Sequence, residues 1–241
     1  KKFDLIVDFR SSVFNLLFNA PVLKSSSKSK HHKLVEYSLM LLPEKLALKQ
    51  PLKPHIWTDQ KDAQHAKQLL GNNKTLILAP TANWGGKRWT QENFAKLANR
   101  LFEKKAPFYK ANLLIAGAQN EQQQITKLLA SVAPLNPILS MGRFSLTELA
   151  TLFKHSTFFI GNDSALMHMA CSYDIPTLGL FGPSDERIYG PWNNKGAYLR
   201  TEKSFQEIIS DPQYDYRSSY SWMNSITVEQ VYHQTLKMLS S

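Results

Sequence analysis

The chain has 241 residues, 43% of them hydrophobic, and a formal net charge of +10 with a pI near 9.6. That length and apolar content allow one large or two small domains with real cores. The charge excess favours an anionic partner: nucleic acid, an acidic membrane surface or phosphorylated small molecules, with a merely basic soluble protein as the plain alternative. No zinc-finger spacing or RNA-binding aromatic signature is visible, so nucleic acid is not an expected partner. Cys171 is alone, so no internal disulfide is expected, which suits a reducing compartment. No apolar run approaches the roughly 18 residues of a membrane-spanning helix, and Lys1-Lys2 followed by two aspartates does not read as a secretion signal.

Taken in order, Phe3–Phe9 (FDLIVDF) predicts a buried strand, and Val13–Phe18 starts a helix. Lys24–Lys33 is basic and serine-rich. It reads as a solvated loop, or as a patch that meets phosphate groups on an acceptor. Leu34–Leu42 predicts a packed helix ended by Pro43. Pro51, Pro54 and the mixed stretch Thr58–Asn73 look like a domain connection, within which Asp62–Leu70 could form a short helix closed by Gly71.

From Lys74 the pattern turns strongly periodic. Thr75–Ala79 predicts a strand, followed by a loop through Trp84, Gly85, Gly86, Lys87, Arg88 and Trp89. Thr90 caps a helix whose apolar face is Phe94, Leu97, Ala98, Leu101 and Phe102. Asn112–Ala116 is the next strand, then a helix with Ile125, Leu128 and Leu129, then a short strand at Ile138-Leu139. Ser145-x-x-Glu148 is a capping box that opens a helix reaching His155. Thr157–Ile160 and Pro176–Phe181 are apolar strands around a helix at Ala165–Tyr173, and Ala197–Arg200 is one strand more. Ser204–Ser225 reads as irregular and aromatic. Thr227-x-x-Gln230 opens a terminal amphipathic helix, expected to pack on the first domain. Strands alternating with helices at this pace predict a parallel, doubly wound α/β sheet.

Three stretches offer chemistry. Asn162-Asp163-Ser164 ends a strand and opens a helix, a natural anion site, and His168 lies one turn on from Ser164 on the same helix face. The loop at 84–89 couples a glycine pair to Lys87 and Arg88, but its spacing is not that of a Walker A loop. Glu121 fits either a carboxylate that accepts from ribose hydroxyls or an ordinary first-turn acid; Met141 fits either a nucleotide base contact or the core. Asp185 and Glu186 read as surface acids, Cys171 as core, and the histidines show no metal-ligand spacing.

These stretches together resemble glycosyltransferase family 9, the heptosyltransferases of lipopolysaccharide core assembly. Asp163-Ser164-Ala165-Leu166-Met167-His168-Met169-Ala170 is similar to the family's D-[ST]-G-x-x-H-x-A, with Ala165 where glycine is usual. Pro176–Pro183 follows its P-T-x-x-L-F-G-P block, and Gly190-Pro191 its G-P. Lys87 and Trp89 match its K-x-W block, with Thr90 in place of proline, and Gly117 to Glu121 its G-x-x-x-E. Trp222–Thr227 is similar to the segment leading into its last helix.

The resemblance implies a GT-B fold of two Rossmann-like domains facing a cleft, with the N-terminal one incomplete. It divides the chain into an acceptor-side domain at 1–58, a linker at 59–73, a nucleotide-sugar-binding domain at 74–225 and a terminal helix at 226–241. It implies inverting transfer of heptose from ADP-heptose to the lipopolysaccharide inner core, with Lys87, Glu121, Met141, Asp163, Ser164, Ala165 and His168 around the donor. It implies no metal and no cofactor beyond that substrate. The partners it implies are a nucleotide sugar, a phosphorylated lipid-linked saccharide, and peripheral contact with an anionic membrane surface on the cytoplasmic side of the bacterial inner membrane. The family's catalytic aspartate, in a G-D pattern, has no match here and is expected upstream. Two alternatives follow: a non-catalytic nucleotide-sugar-binding remnant, and a nucleotide-sugar epimerase of similar fold.

Overall fold

The computed structural model describes residues 6–8, 22–24 and 55–240. The chain divides into two compact units, Lys1–Leu52 and Lys53–Ser241. In the first, β1 (Ile6–Asp8) pairs in parallel with β2 (Val22–Lys24), Ile6 opposite Val22 and Asp8 opposite Lys24. The FDLIVDF strand is therefore present at its centre, while Lys24 ends a strand rather than starting a loop. The helices expected at 13–18 and 34–42, and residues 25–33 of the basic loop, lie outside the described residues.

The second unit opens with α1 (Gln60–Leu70), capped at its start by Asp59, whose carboxylate accepts from the Asp62 N–H. Six parallel strands follow: β3 (Thr75–Ala79), β4 (Asn112–Ile115), β5 (Ile138–Leu139), β6 (Phe158–Asn162), β7 (Thr177–Phe181) and β8 (Gly196–Arg200). Their spatial order is β5-β4-β3-β6-β7-β8. Between them run α2 (Gln91–Phe102), α3 (Thr126–Val132), α4 (Leu146–Lys154), α5 (Ala165–Ser172) and α6 (Glu186–Tyr189); α7 (Phe205–Ile209) and α8 (Val228–Leu239) close the chain. This is the doubly wound order, and the direction of winding reverses between β3 and β6.

Alternation along each strand divides the core into two layers. Leu76, Leu78, Leu113, Ile115, Phe158, Ile160, Leu178 and Leu180 face one layer, with Phe94, Leu97 and Leu101 of α2, Leu128 of α3 and Val231 of α8. Ile77, Ala79, Leu114, Phe159 and Phe181 face the other, with Leu70 of α1, Phe153 of α4 and Met167 of α5. Strands buried on both faces need apolar residues at every position, which is why they read as continuous apolar runs. Each such Leu, Ile or Phe contributes about 1.5–3 kcal/mol by leaving water.

The helix expected at Asp62–Leu70 within the linker stretch 59–73 is present as α1, closed by Gly71, and it packs on α4 within the second unit because Ala66 and Leu70 need an apolar surface. The terminal helix packs on α2 of its own unit. Val231 enters the α2 layer, and the Arg100 guanidinium lies 3.8 Å from the centre of the Tyr232 ring and pairs with Glu229. The capping boxes at Ser145/Glu148 and Thr227/Gln230 are both present. A third, Ser204/Glu207, opens α7 inside the stretch read as irregular.

Candidate functional site

The carboxyl ends of β3 and β6 are neighbours, so the loops that follow them meet at the winding reversal, where open α/β sheets form a crevice. The loop after β3 carries Lys87; the turn after β6 carries Asp163. Lys87 Nζ donates to Asp163 Oδ2 at 2.6 Å, and the Asp163 side chain is only 7% exposed. The same ammonium lies 4.5 Å from the centre of the Trp84 ring. A buried carboxylate thus fixes the lysine across the reversal point.

Asn162 holds the two loops in this relation. Its side chain is fully buried, donates to the Pro80 carbonyl at 2.8 Å and accepts from the Trp89 N–H at 3.1 Å. Trp89 is buried, and its indole N–H donates to the Ile226 carbonyl at 2.8 Å. Asn162 and Trp89 are therefore scaffold for Lys87. The tight loop between them is a 3-10 turn at Gly85–Lys87. A Cβ at Gly85 would lie 2.5 Å from Ser219 Cα, so only glycine lets the two backbones meet. Trp222 N–H donates to the Gly86 carbonyl at 3.1 Å and the Ser221 hydroxyl to the Arg88 carbonyl at 2.6 Å. The aromatic stretch before α8 is the outer wall of the lysine loop, a role its irregular sequence did not signal.

Helix α5 begins beside the pair. Ser164 occupies its N-cap position, but its hydroxyl makes no capping bond and its buried oxygen lacks a hydrogen-bond partner. The cap expected from sequence is therefore absent as a bond, and the first turn keeps its positive end for another acceptor. Ala165 is exposed in that turn, and His168 is half-buried one turn further on.

A second cluster sits at the ends of β4 and β5. Glu121 Oε2 accepts from the Thr81 hydroxyl at 2.6 Å and from the Ala118 N–H at 2.9 Å. Met141 is buried. A Cβ at Gly117 would lie 2.4 Å from Met141 Cε and 3.4 Å from Glu121 Oε2, so this glycine is what brings the two side chains together. Thr81 joins this cluster to the lysine loop. Burial lowers the Arg88 guanidinium from its ordinary value, against the opposing pull of the Glu121 charge.

The pair Asp185/Glu186 is structural. Arg187 holds the Asp185 carboxylate at 2.7 Å and Arg200 holds Glu186 at 2.8 Å. Arg200 also donates to the Gly182 and Ser184 carbonyls, fixing the loop after β7. Among the described residues no group of three His, Cys, Asp or Glu side chains is placed to hold a metal ion, and no helix is long and apolar enough to cross a membrane.

A doubly wound parallel sheet with its polar groups gathered at the winding reversal is the architecture of many nucleotide-binding domains, those of the GT-B glycosyltransferases among them. Solved structures of such enzymes superpose on the chain. One is a glycosyltransferase family 9 protein from Veillonella parvula, with TM-score 0.79 and 19% identity over 100% of this chain and 75% of that one. Another is the E. coli heptosyltransferase WaaC with ADP, with TM-score 0.67 and 17% identity over 99% of this chain and 73% of that one. Residues 11–210 match glycosyltransferase family 9 (heptosyltransferase), and the chain belongs to that family. Lipooligosaccharide heptosyltransferase 2 of Campylobacter jejuni is 29% identical over 210 residues, 82% of this chain and 64% of that protein. The chain thus spans less than two thirds of the length of this relative.

Proposed function

We propose that this unit is the donor half of an inverting glycosyltransferase that moves heptose from ADP-heptose to the lipopolysaccharide inner core. The observation that carries the reading is the Lys87–Asp163 pair, held at the winding reversal beside the uncapped start of α5. An acceptor hydroxyl oxygen attacks the anomeric carbon, the bond from that carbon to the diphosphate oxygen breaks, and the hydroxyl proton passes to a general base outside the donor site. The departing diphosphate gains one negative charge. Lys87 and the positive end of α5 meet that charge as it develops, with no metal assigned a role. Asp163 acts on the donor through Lys87, as a positioning residue.

Ser164, Ala165 and His168 would line the phosphates and sugar from the helix. Glu121 would accept from ribose hydroxyls and Met141 would lie against the base. Their meeting around Gly117 at two adjacent strand ends supports this. ADP as the nucleotide is supported by the E. coli relative described with ADP. A phosphorylated lipid-linked acceptor and a place at the inner membrane's cytoplasmic face accord with the +10 net charge.

Calorimetric titration of the 241-residue chain with ADP, UDP, GDP and CMP tests the donor assignment. Selective ADP binding, weakened about tenfold or more by Lys87→Ala and also weakened by Asp163→Asn, is expected. Failure to bind any of the four would overturn it.

A further inference from the structure

A cavity of about 330 Å³ opens beside the lysine loop, lined chiefly by Trp84, Gly85, Arg88, Tyr216, Arg217 and Ser218. Among the described residues neither Lys87 nor Asp163 lines it, and no carboxylate does. Its two rings meet edge to face, 6.5 Å between centres. The Arg217 guanidinium lies 5.3 Å from the Tyr216 ring and, among the described residues, forms no ion pair with an acid. The neighbouring acid, Asp215, is engaged by the Arg217 backbone N–H at 2.9 Å. Arg88 is anchored by one bond, from Nε to the Ala82 carbonyl at 3.0 Å, and feels the Glu121 charge only at longer range. The cavity is built rather than incidental. The close backbone approach at Gly85 and the Trp222–Gly86 and Ser221–Arg88 bonds fix its two walls against each other.

Two guanidinium groups with free N–H donors are suited to a phosphate, which they bind through paired charge-assisted hydrogen bonds. Two aromatic faces beside them suit the C–H face of a sugar ring. The volume is at the low end for small-molecule sites and suits a monosaccharide phosphate. We propose that this cavity is a second anion site, adjoining the Lys87–Asp163 pair through the Trp84 ring but not lined by that pair, that takes a phosphorylated sugar with its phosphate on Arg88 and Arg217 and its ring against Trp84 and Tyr216. The inference goes beyond the donor reading and does not depend on it.

The test is calorimetric titration of the 241-residue chain with glucose 6-phosphate, with and without excess ADP. Glucose and inorganic phosphate serve as the comparison ligands. Glucose 6-phosphate should bind under both conditions, at least about tenfold more tightly than either comparison ligand. Arg217→Gln, at an exposed position, should weaken it about tenfold without changing the melting temperature. Arg88→Lys and Tyr216→Ala should weaken it as well. A chain that binds glucose 6-phosphate but no nucleotide would sink the donor assignment and leave this site standing. The proposal is overturned by no binding, by displacement with ADP, by inorganic phosphate binding as tightly as the sugar phosphate, or by unchanged affinity in Arg217→Gln.

Discussion

Lys87 Nζ lies 2.6 Å from Asp163 Oδ2, although 76 positions separate them in the chain. With side chains only 18% and 7% exposed, neither charge is fully hydrated, and each depends on the other. Removing one partner strands the other. Lys87→Met should cost about 3 kcal/mol, the low end for breaking a buried pair, and Lys87→Met with Asp163→Asn less than the two single costs added. Urea denaturation of the four proteins checks this. Additive costs would show that the pair is not coupled.

Asn162 bridges two backbone groups that have no other partner among the described residues, the Pro80 carbonyl and the Trp89 N–H. Asn162→Ala orphans both in a buried setting, at about 1–3 kcal/mol each. The variant should therefore lose roughly 2–6 kcal/mol of stability and bind ADP more weakly, because the lysine loop loses its tether. Normal stability with normal affinity would remove Asn162 from its positioning role.

Gly85→Ala should act through the backbone, by forcing two loops apart. Its methyl would meet Ser219 backbone at 2.5 Å, so the 216–222 wall must move away from the lysine loop. Overpacking of this kind costs about 1–3 kcal/mol. Thermal melting together with the ADP and glucose 6-phosphate titrations reads the outcome, and both affinities should fall. A melting temperature and affinities like the parent's would mean that the two loops adjust freely.

Asp185 gives a pH dependence with a defined sign. Hydrogen bonding from the Arg187 side chain, with its backbone N–H and the nearby Arg200 charge, holds the carboxyl below the ordinary aspartate value against the opposing effect of burial. The native state therefore releases this proton more readily than the unfolded chain does. Its contribution to stability is fully present above about pH 4 and is lost as the pH falls through the lowered native value. Asp185→Asn keeps a capping oxygen but not the charge. Its urea midpoint should lie below that of the parent at about pH 7 and converge with it near pH 2. A constant gap between the two would assign the effect to packing.

Local pattern carried much of this protein. The apolar runs of β3, β6 and β7, the α2 face of Phe94, Leu97 and Leu101, and two capping boxes were legible because period and cap chemistry depend on residues a few positions apart. The family motifs were legible for the same reason, each lying within one short stretch around Lys87, Glu121 or Asp163. The partner of a helix was not. The amphipathic pattern of α8 shows that it must bury Val231, but only the fold assigns α2 as the surface.

The site divides in the same way. The residue types, Lys87, Asp163, Glu121 and Met141, and the strand ends that carry them could be read along the chain. Only the tertiary structure decided that Asp163 holds Lys87, that Asn162 ties their loops, and that Trp84 and Arg88 meet Tyr216 and Arg217 around one open cavity. Those pairings follow from the strand order, which sets β3 beside β6 and brings the 216–222 stretch back over the lysine loop. Order of that kind is a property of long-range packing. Side chains far apart in sequence become neighbours only when the two core layers close, and no local period records which ones will meet.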